Sequence, residues 1–368
     1  METMSEDTSL SARLIAHSAR ALAGYSAGDL METHPDLAAG LGPAHVERWR
    51  QVFVQCLEEL AAALLANRPG LFVDYAVWMR ALLCSRGIPD GGLEAALDSL
   101  CRVLAAELPA AAAAAATGAC RDALATLKSA GEPSISRLST DSAEGRLAGN
   151  YLLALLEGDR NRATRLILAA AEAGTPLADL YLKVLLPAQQ EAGRMWQDAE
   201  INVAEEHFAT NTTRSVMAQL ARYAPQKALH GKTILIAAVA GNQHDLGMQA
   251  VAEFFEMAGW RAIQLGADVP IPDLVQAVEF YRPDLLGLSV ALRSQLATLK
   301  QTIEAVRLSE RGRVVKILVG GLALLRNADL AVTLGADQYA ADPNEAVALG
   351  NALVGLDRQG KPSSGTDE

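Results

Sequence analysis

The 368-residue sequence predicts an α plus α/β protein: an all-helical N-terminal region, a four-helix bundle, and a C-terminal doubly wound parallel sheet. Three observations predict it. As far as Tyr223 the apolar residues recur at three- and four-residue spacing, with Pro, Gly or Asn at the breaks. After Gly231 short, β-branched apolar runs alternate with helical stretches, the pattern of parallel strands joined by crossover helices. Between these regions the breaks at Gly158-Asp159 and Gly174-Thr175-Pro176 are short, which makes neighbouring helices antiparallel and closes them into a bundle.

Taken in order, Ser11–Ala27, Ala44–Asn67, Leu71–Ser85, Gly92–Glu107 and Ala110–Ser129 carry the helical period. Pro43 opens the second of these and Asn67-Arg68-Pro69-Gly70 closes it. Residues 131–141 read as a Ser/Pro/Gly-containing linker between a domain at 1–135 and the next. The bundle, at 142–224, comprises Ser142–Glu157, Arg160–Ala173, Pro176–Arg194 and Met195–Tyr223. The sheet domain, at 231–357, has strands near 232–240, 260–266, 284–290, 314–319 and 336–340. The polar tail at 358–368 reads as disordered.

Composition narrows the function. Net charge is −11, and residues 1–140 hold sixteen acidic against eleven basic residues. Neither the whole chain nor its front is built to meet nucleic acid or an anionic membrane. Cys56, Cys84, Cys101 and Cys120 are widely spaced and read as reduced thiols rather than a zinc set. The longest apolar run, Pro109–Ala116, is too short to span a bilayer, and no signal-peptide pattern opens the chain. A soluble, cytoplasmic protein is expected.

The chemistry gathers at Gly241-Asn242-Gln243-His244-Asp245-Leu246-Gly247, between the first strand and the helix after it. Open parallel sheets place ligands at such carboxyl-end loops. Glycines on both sides permit a tight turn and a close approach, and a neutral imidazole there is a good transition-metal ligand. Ser289 ends the third strand and Gly320-Gly321 the fourth, at the same edge. These segments resemble the Asp-x-His-x-x-Gly loop, serine and glycines of cobalamin-binding domains. The resemblance implies His244 as lower axial ligand to cobalt. It places Asn242, Asp245, Leu246 and Gly247 around that ligand, and Ser289, Gly320 and Gly321 along the nucleotide tail. Asn242 stands where most members carry Asp; an amide still accepts a hydrogen bond from the ring but adds no negative charge, so a weaker His–cobalt bond is expected. Tyr151, Leu156, Gly158, Asp159, Asp179, Pro187 and Gly193 fit the helical cap that precedes such domains. A flavodoxin-like sheet with an incidental loop histidine is the plain alternative.

Within the bundle, Trp196 is followed nine residues later by Glu206-His207. On one continuous helix Trp196 and His207 face the same way, roughly 16 Å apart. The spacing resembles the Trp-x9-Glu-His motif of adenosylcobalamin-dependent photoreceptors, first associated with repressors of the CarH type. That implies Trp196, Val203, Glu206 and His207 over the upper face of the corrin. It also implies a homo-oligomer whose assembly changes with light. Gln197 replaces the histidine that follows the tryptophan in the repressors, and the N-terminus does not resemble their helix-turn-helix of the MerR kind, so direct DNA binding is not expected.

The front helices loosely resemble globin-like sensor domains, and the whole arrangement resembles the photocobilins, which bind cobalamin and the linear tetrapyrrole biliverdin. On that resemblance the bilin sits by Arg48, Arg50 or Arg80 and stacks on Trp49, Tyr75 or Trp78, without a covalent bond to Cys56 or Cys84. An ordinary helical core is the alternative for these aromatics. Three functions remain open: a light sensor without turnover of its own, a corrinoid methyl carrier of a methyltransferase system, and a transcription regulator or adaptor.

Overall fold

The computed structural model describes residues 6–39, 45–89, 91–128, 138, 141–225, 227–325 and 327–356. The helix opening at Pro43, most of the linker and the tail beyond 357 lie outside them. The chain divides into two compact units, one of Met1–Ser136 with Gly193–Val203, the other of Arg137–Ala192 with Ala204–Glu368.

The first unit is helical: α1 (Glu6–Thr33), α2 (Pro35–Ala39), α3 (His45–Leu65), α4 (Gly70–Ser85), α5 (Gly92–Glu107) and α6 (Ala110–Leu127). The first helix runs well beyond the expected Ser11–Ala27, because Gly24 and Gly28 are tolerated where no side chain is required for packing. Its core buries Ile15, Leu30, Trp49, Phe53, Leu57, Leu60, Phe72 and Met79. Ser11 Oγ donates to the Ala112 carbonyl at 2.9 Å, tying α1 to α6, and Arg102 grips both carboxylate oxygens of Asp29.

In the second unit the bundle begins with α7 (Ala143–Leu156) and α8 (Arg160–Glu172), capped by Ser142 and Asp159, whose side chains accept the amides of Gly145 and Arg162. A third helical run starts as α9 (Leu177–Asp179), passes through a π-helical stretch at Leu180–Leu185, and continues as α10 (Leu186–Gln197). Pro187 has no amide to donate, and the widened turn just before it, where Leu186 N reaches the Tyr181 carbonyl, absorbs the defect.

The expected single helix over Met195–Tyr223 is not formed. α10 ends at Gln197, and α11 (Val203–Leu220) starts after a five-residue break. Ala199 takes a left-handed φ of 57°, the Glu200 amide turns back to the Met195 carbonyl at 2.8 Å, and Arg194 binds Asp198 and Glu200 at 2.5 and 2.8 Å. Trp196 and His207 therefore lie on different helices, and the one-helix separation does not apply.

The sheet contains β1 (Thr233–Val239), β2 (Arg261–Val269), β3 (Leu285–Ser289), β4 (Lys316–Gly320) and β5 (Gln338–Ala340), all parallel, in the order β2-β1-β3-β4-β5. The helices between and after the strands are α12 (Leu246–Met257), α13 (Ile271–Tyr281), α14 (Leu296–Leu308), α15 (Ala328–Thr333) and α16 (Pro343–Leu353). β1 is buried along nearly its whole length, as a central strand covered on both faces must be. Ile234, Ile236, Phe255, Trp260, Leu285 and Leu318 form the core of one face. The strand order reverses between β1 and β3, which opens a crevice at their carboxyl ends.

Candidate functional site

Register places the site. Ser289 pairs with Ala238 on one side and Gly320 on the other, and Gly320 pairs with Ala340, so the ends of four strands reach one level. The His244 loop leaves β1 at that level.

The loop is held from several directions. Gly241, at φ 81°, makes the turn. Its amide donates to Asp268 Oδ1 at 2.6 Å, Gln243 Nε2 donates to Asp268 Oδ2 at 3.1 Å, and the Asp268 amide donates to the Asn242 carbonyl at 3.0 Å. Asp268 reaches this position because β2 is bulged against β1, with Gly266 at φ 93° and Asp268 itself at φ 53°. From the other side, the buried Gln295 accepts the Ala291 and Leu292 amides and donates to the Gly241 carbonyl at 2.9 Å.

Asn242 is fully buried. Its Nδ2 donates to the Ser289 carbonyl at 3.1 Å, which fixes the amide's orientation and turns Oδ1 toward His244. That oxygen accepts the His244 amide at 3.0 Å and lies 3.3 Å from ring Nδ1. An amide oxygen can only accept, so this contact favours the tautomer with the proton on Nδ1 and the lone pair on Nε2. His244 is exposed, and Nε2 has no hydrogen-bond partner among the described residues.

Around the loop's glycines there is room. A Cβ at Gly247 or Gly241 would meet nothing within 4 Å. Gly321 differs: at φ 112°, its Cβ would collide with the Val290 carbonyl oxygen, so close strand packing already demands glycine there. Gly320 is milder, with the Ala340 carbonyl 3.3 Å from a Cβ. The half-buried Ser289 lends its carbonyl to Asn242. Among the described residues no three His, Cys, Asp or Glu side chains converge to hold a metal ion. One unpaired imidazole nitrogen beside open space fits a metal whose other positions are filled by its own macrocycle, and so fits a cobalt corrinoid.

Asp245 occupies the N-cap position of α12 without capping it. Its carboxylate meets Arg214 on α11 through bonds of 3.0 and 2.7 Å, and these raise the guanidinium's pKa above its ordinary value. One turn earlier on α11, the single Thr210 hydroxyl proton is shared between Glu206 Oε1 at 2.8 Å and Gln189 Oε1 at 3.0 Å, and Gln189 Nε2 donates to Thr213, the partner of the buried Tyr151 hydroxyl. His207 is exposed, with Nε2 3.8 Å from Glu206 Oε2, and Val203 is half exposed.

Trp196 belongs to the first unit. It is partly exposed, with the Arg86 guanidinium 5.5 Å from its ring centre, while Ser85 Oγ donates to the Gln197 carbonyl at 2.9 Å. In the same unit Trp49 is wholly buried against Phe53, and Tyr75 is 8% exposed and packed between Phe72 and Trp78. Trp78 and Arg48 are exposed, and Arg80 donates to the Leu127 carbonyl at 2.6 Å. Burial pushes the Cys56 thiol up to about 12, which keeps it protonated and unreactive at neutral pH; Cys84 is exposed.

Asp268, Gln295 and Arg214 escape a reading of sequence. Asp268 carries a faint signal, since Gly266 and Pro270 bracket it at the end of a strand on the ligand edge. Gln295 and Arg214 carry none, because their roles exist only once distant elements are docked.

Models of the B12 binding domain match residues 232–348 and residues 147–221. A corrinoid protein of Desulfitobacterium hafniense is 25% identical over 207 residues, 55% of this chain and 94% of that protein. The dimethylamine corrinoid protein of Methanosarcina barkeri is 26% identical, over 48% of this chain and 83% of its own. The HTH-type transcriptional repressor CarH of Myxococcus xanthus is 29% identical over 41% of this chain and half of the repressor. The solved monomethylamine corrinoid protein of Methanosarcina barkeri superposes with a TM-score of 0.51 at 20% identity, over 58% of this chain and all of that one, and shares the fold. Among the described residues no helix is long and apolar enough to cross a membrane. From its bundle through its sheet, the chain is a corrinoid-binding protein, homologous to the methylamine corrinoid proteins and to CarH.

Proposed function

We propose that this protein is a light sensor that holds adenosylcobalamin through His244 and signals by a change of quaternary structure. One observation carries the reading: the segment bearing Trp196 belongs with the N-terminal helical unit, where Arg86 and Ser85 meet it. A unit added in front of a corrinoid module, and joined to the residue expected to cover the organic group, is suited to sense what happens there.

When bound, adenosylcobalamin supplies a cobalt–carbon bond that visible light cleaves. The chain's residues do the rest. His244 Nε2 offers the lower lone pair, and Asn242 holds the ring's tautomer. Trp196 offers an apolar wall, and Glu206 and His207 offer hydrogen bonds to a nucleoside. Gln197, an amide where an imidazole would bind a metal, would be a poor cobalt ligand beside Trp196. Biliverdin is the second chromophore of the proposal. The buried Glu94 Oε2 makes no hydrogen bond among the described residues, and the buried Tyr75 hydroxyl faces only the weakly bonding Cys56 thiol; a polar interior ligand would give each a better partner. Since Trp49 and Tyr75 are core residues, stacking on them requires the helices to part, whereas Arg48 and Trp78 are accessible as they stand.

A second reading, a methyl-group carrier, is favoured by the methylamine corrinoid proteins among the relatives, most of whose length this chain spans. The two separate in one experiment. The protein is reconstituted with adenosylcobalamin in darkness, illuminated with green light, and followed by absorption and elution volume. A sensor changes both; a carrier whose assembly ignores light overturns the sensor reading. A red absorption band after expression with biliverdin tests the second chromophore.

A further inference from the structure

Asp245 is placed to cap its own helix and does not. Aspartate at an N-cap ordinarily accepts an amide of the first turn, a favourable and purely local bond. Here the α12 amides go without it, and both carboxylate oxygens turn to a guanidinium 31 residues earlier in the chain. A residue that forgoes a local bond for a distant one marks a place where position matters more than helix stability. The two-bond fork fixes both distance and plane, which a single lysine contact does not. Arg214 is 40% exposed in its side chain, so the pair adds little to overall stability. Its effect is geometric.

The two partners sit at informative addresses. Asp245 directly follows His244. Arg214 lies seven residues after His207 on α11, two turns along and on the same face. The same helix carries Glu206, joined through Thr210, Gln189 and Thr213 to the buried Tyr151. A shift of α11 along its axis is thus resisted at Tyr151 and delivered at Asp245.

We propose that Arg214 is a positioning residue for the cobalt ligand: through Asp245 it sets the His244 loop in register with α11, so that movement of that helix changes how well the imidazole meets the metal. The proposal rests on corrinoid binding through His244, and not on light. A second tie between the bundle and α12, the hydrogen bond from the Tyr181 hydroxyl to Glu253, lies two turns beyond the loop and provides a control.

The test uses the full chain loaded with cobalamin and reduced to the cobalt(II) state. With the protein's histidines labelled with 15N, the two-line splitting they impose on the electron paramagnetic resonance spectrum, distinct from the three-line splitting of the cofactor's own base, reports the fraction of cobalt bound by histidine. Arg214→Gln and Asp245→Asn should each lower that fraction at least threefold at equal cobalamin loading. Tyr181→Phe should leave it unchanged, and the exchanged pair Arg214→Asp with Asp245→Arg should restore part of it. Should Arg214→Gln fail to fold, Asp245→Asn reads the same bond from its other end. Wild-type splitting in both single variants overturns the proposal, as does an equal loss in Tyr181→Phe. If the wild-type protein itself shows no 15N-histidine splitting, the assignment of His244 fails, and the proposal with it.

Discussion

The loop after β1 and the segment after α10 each carry a ring that the cobalamin reading needs, and they are built in opposite ways. The His244 loop is fixed by side chains from three separate places in the chain, Asp268, Gln295 and Arg214, and from within by Asn242. At the Trp196 segment the described residues show an arginine fork onto Asp198 and Glu200, a left-handed alanine, a hydroxyl bond from Ser85 and a guanidinium over the ring. A metal ligand must be held within a fraction of an ångström, and convergent bonding does that. A segment held by fewer long-range side-chain bonds is where motion costs less. On the function proposed above, the difference suits a rigid ligand at His244 and a movable wall at Trp196.

The contrast can be broken most decisively at its rigid end. His244→Ala should abolish the 15N-histidine signature of bound cobalamin and reduce retention on desalting by more than tenfold; retention equal to wild type would sink the assignment. Gly321→Ala should lower stability by about 3 kcal/mol, measured as a denaturation midpoint, because the new Cβ meets the Val290 carbonyl in a backbone conformation that L residues avoid. A smaller effect is expected at the movable end. Arg86→Ala removes a contact worth about 0.5–1 kcal/mol and should speed protease cleavage within residues 193–203, with cleavage of the sheet domain unaltered. Were cleavage at 193–203 unaffected, Arg86 would not be restraining that segment.

The smallest effect sharpens the comparison within the first unit. Arg102 hydrogen bonds hold the Asp29 carboxyl below its ordinary value of 3.8. A carboxyl whose folded pKa is depressed adds stability above its unfolded pKa, and loses it as pH falls through the folded value. Asp29→Asn should therefore lower the melting temperature slightly at pH 7, by an amount worth at most about 1 kcal/mol for so exposed a pair. The gap from wild type should close below pH 3.8; a gap that persists undiminished would mean that the ion pair is not its source.

What the sequence determined by itself is the set of elements and the address of the ligand loop. Hydrophobic period is a property of near neighbours, so the runs at 233–239, 285–289 and 316–320 and the helices between them were legible, as was a histidine flanked by glycines at a strand's carboxyl end. The break at Asp198–Asn202 was not. Ala, Glu and Asp all permit helix, and the interruption arises from Arg194 drawing two acids back while Ala199 turns left-handed. Burial of Trp49 and Tyr75 was likewise undecided, because an aromatic stripe reads alike as a core or as a chromophore wall until its neighbours are docked. Tertiary structure alone brought Arg214 to Asp245 and Gln295 to Gly241. Pairings across 31 and 54 residues depend on the angle and register at which finished elements meet, and no local pattern encodes those.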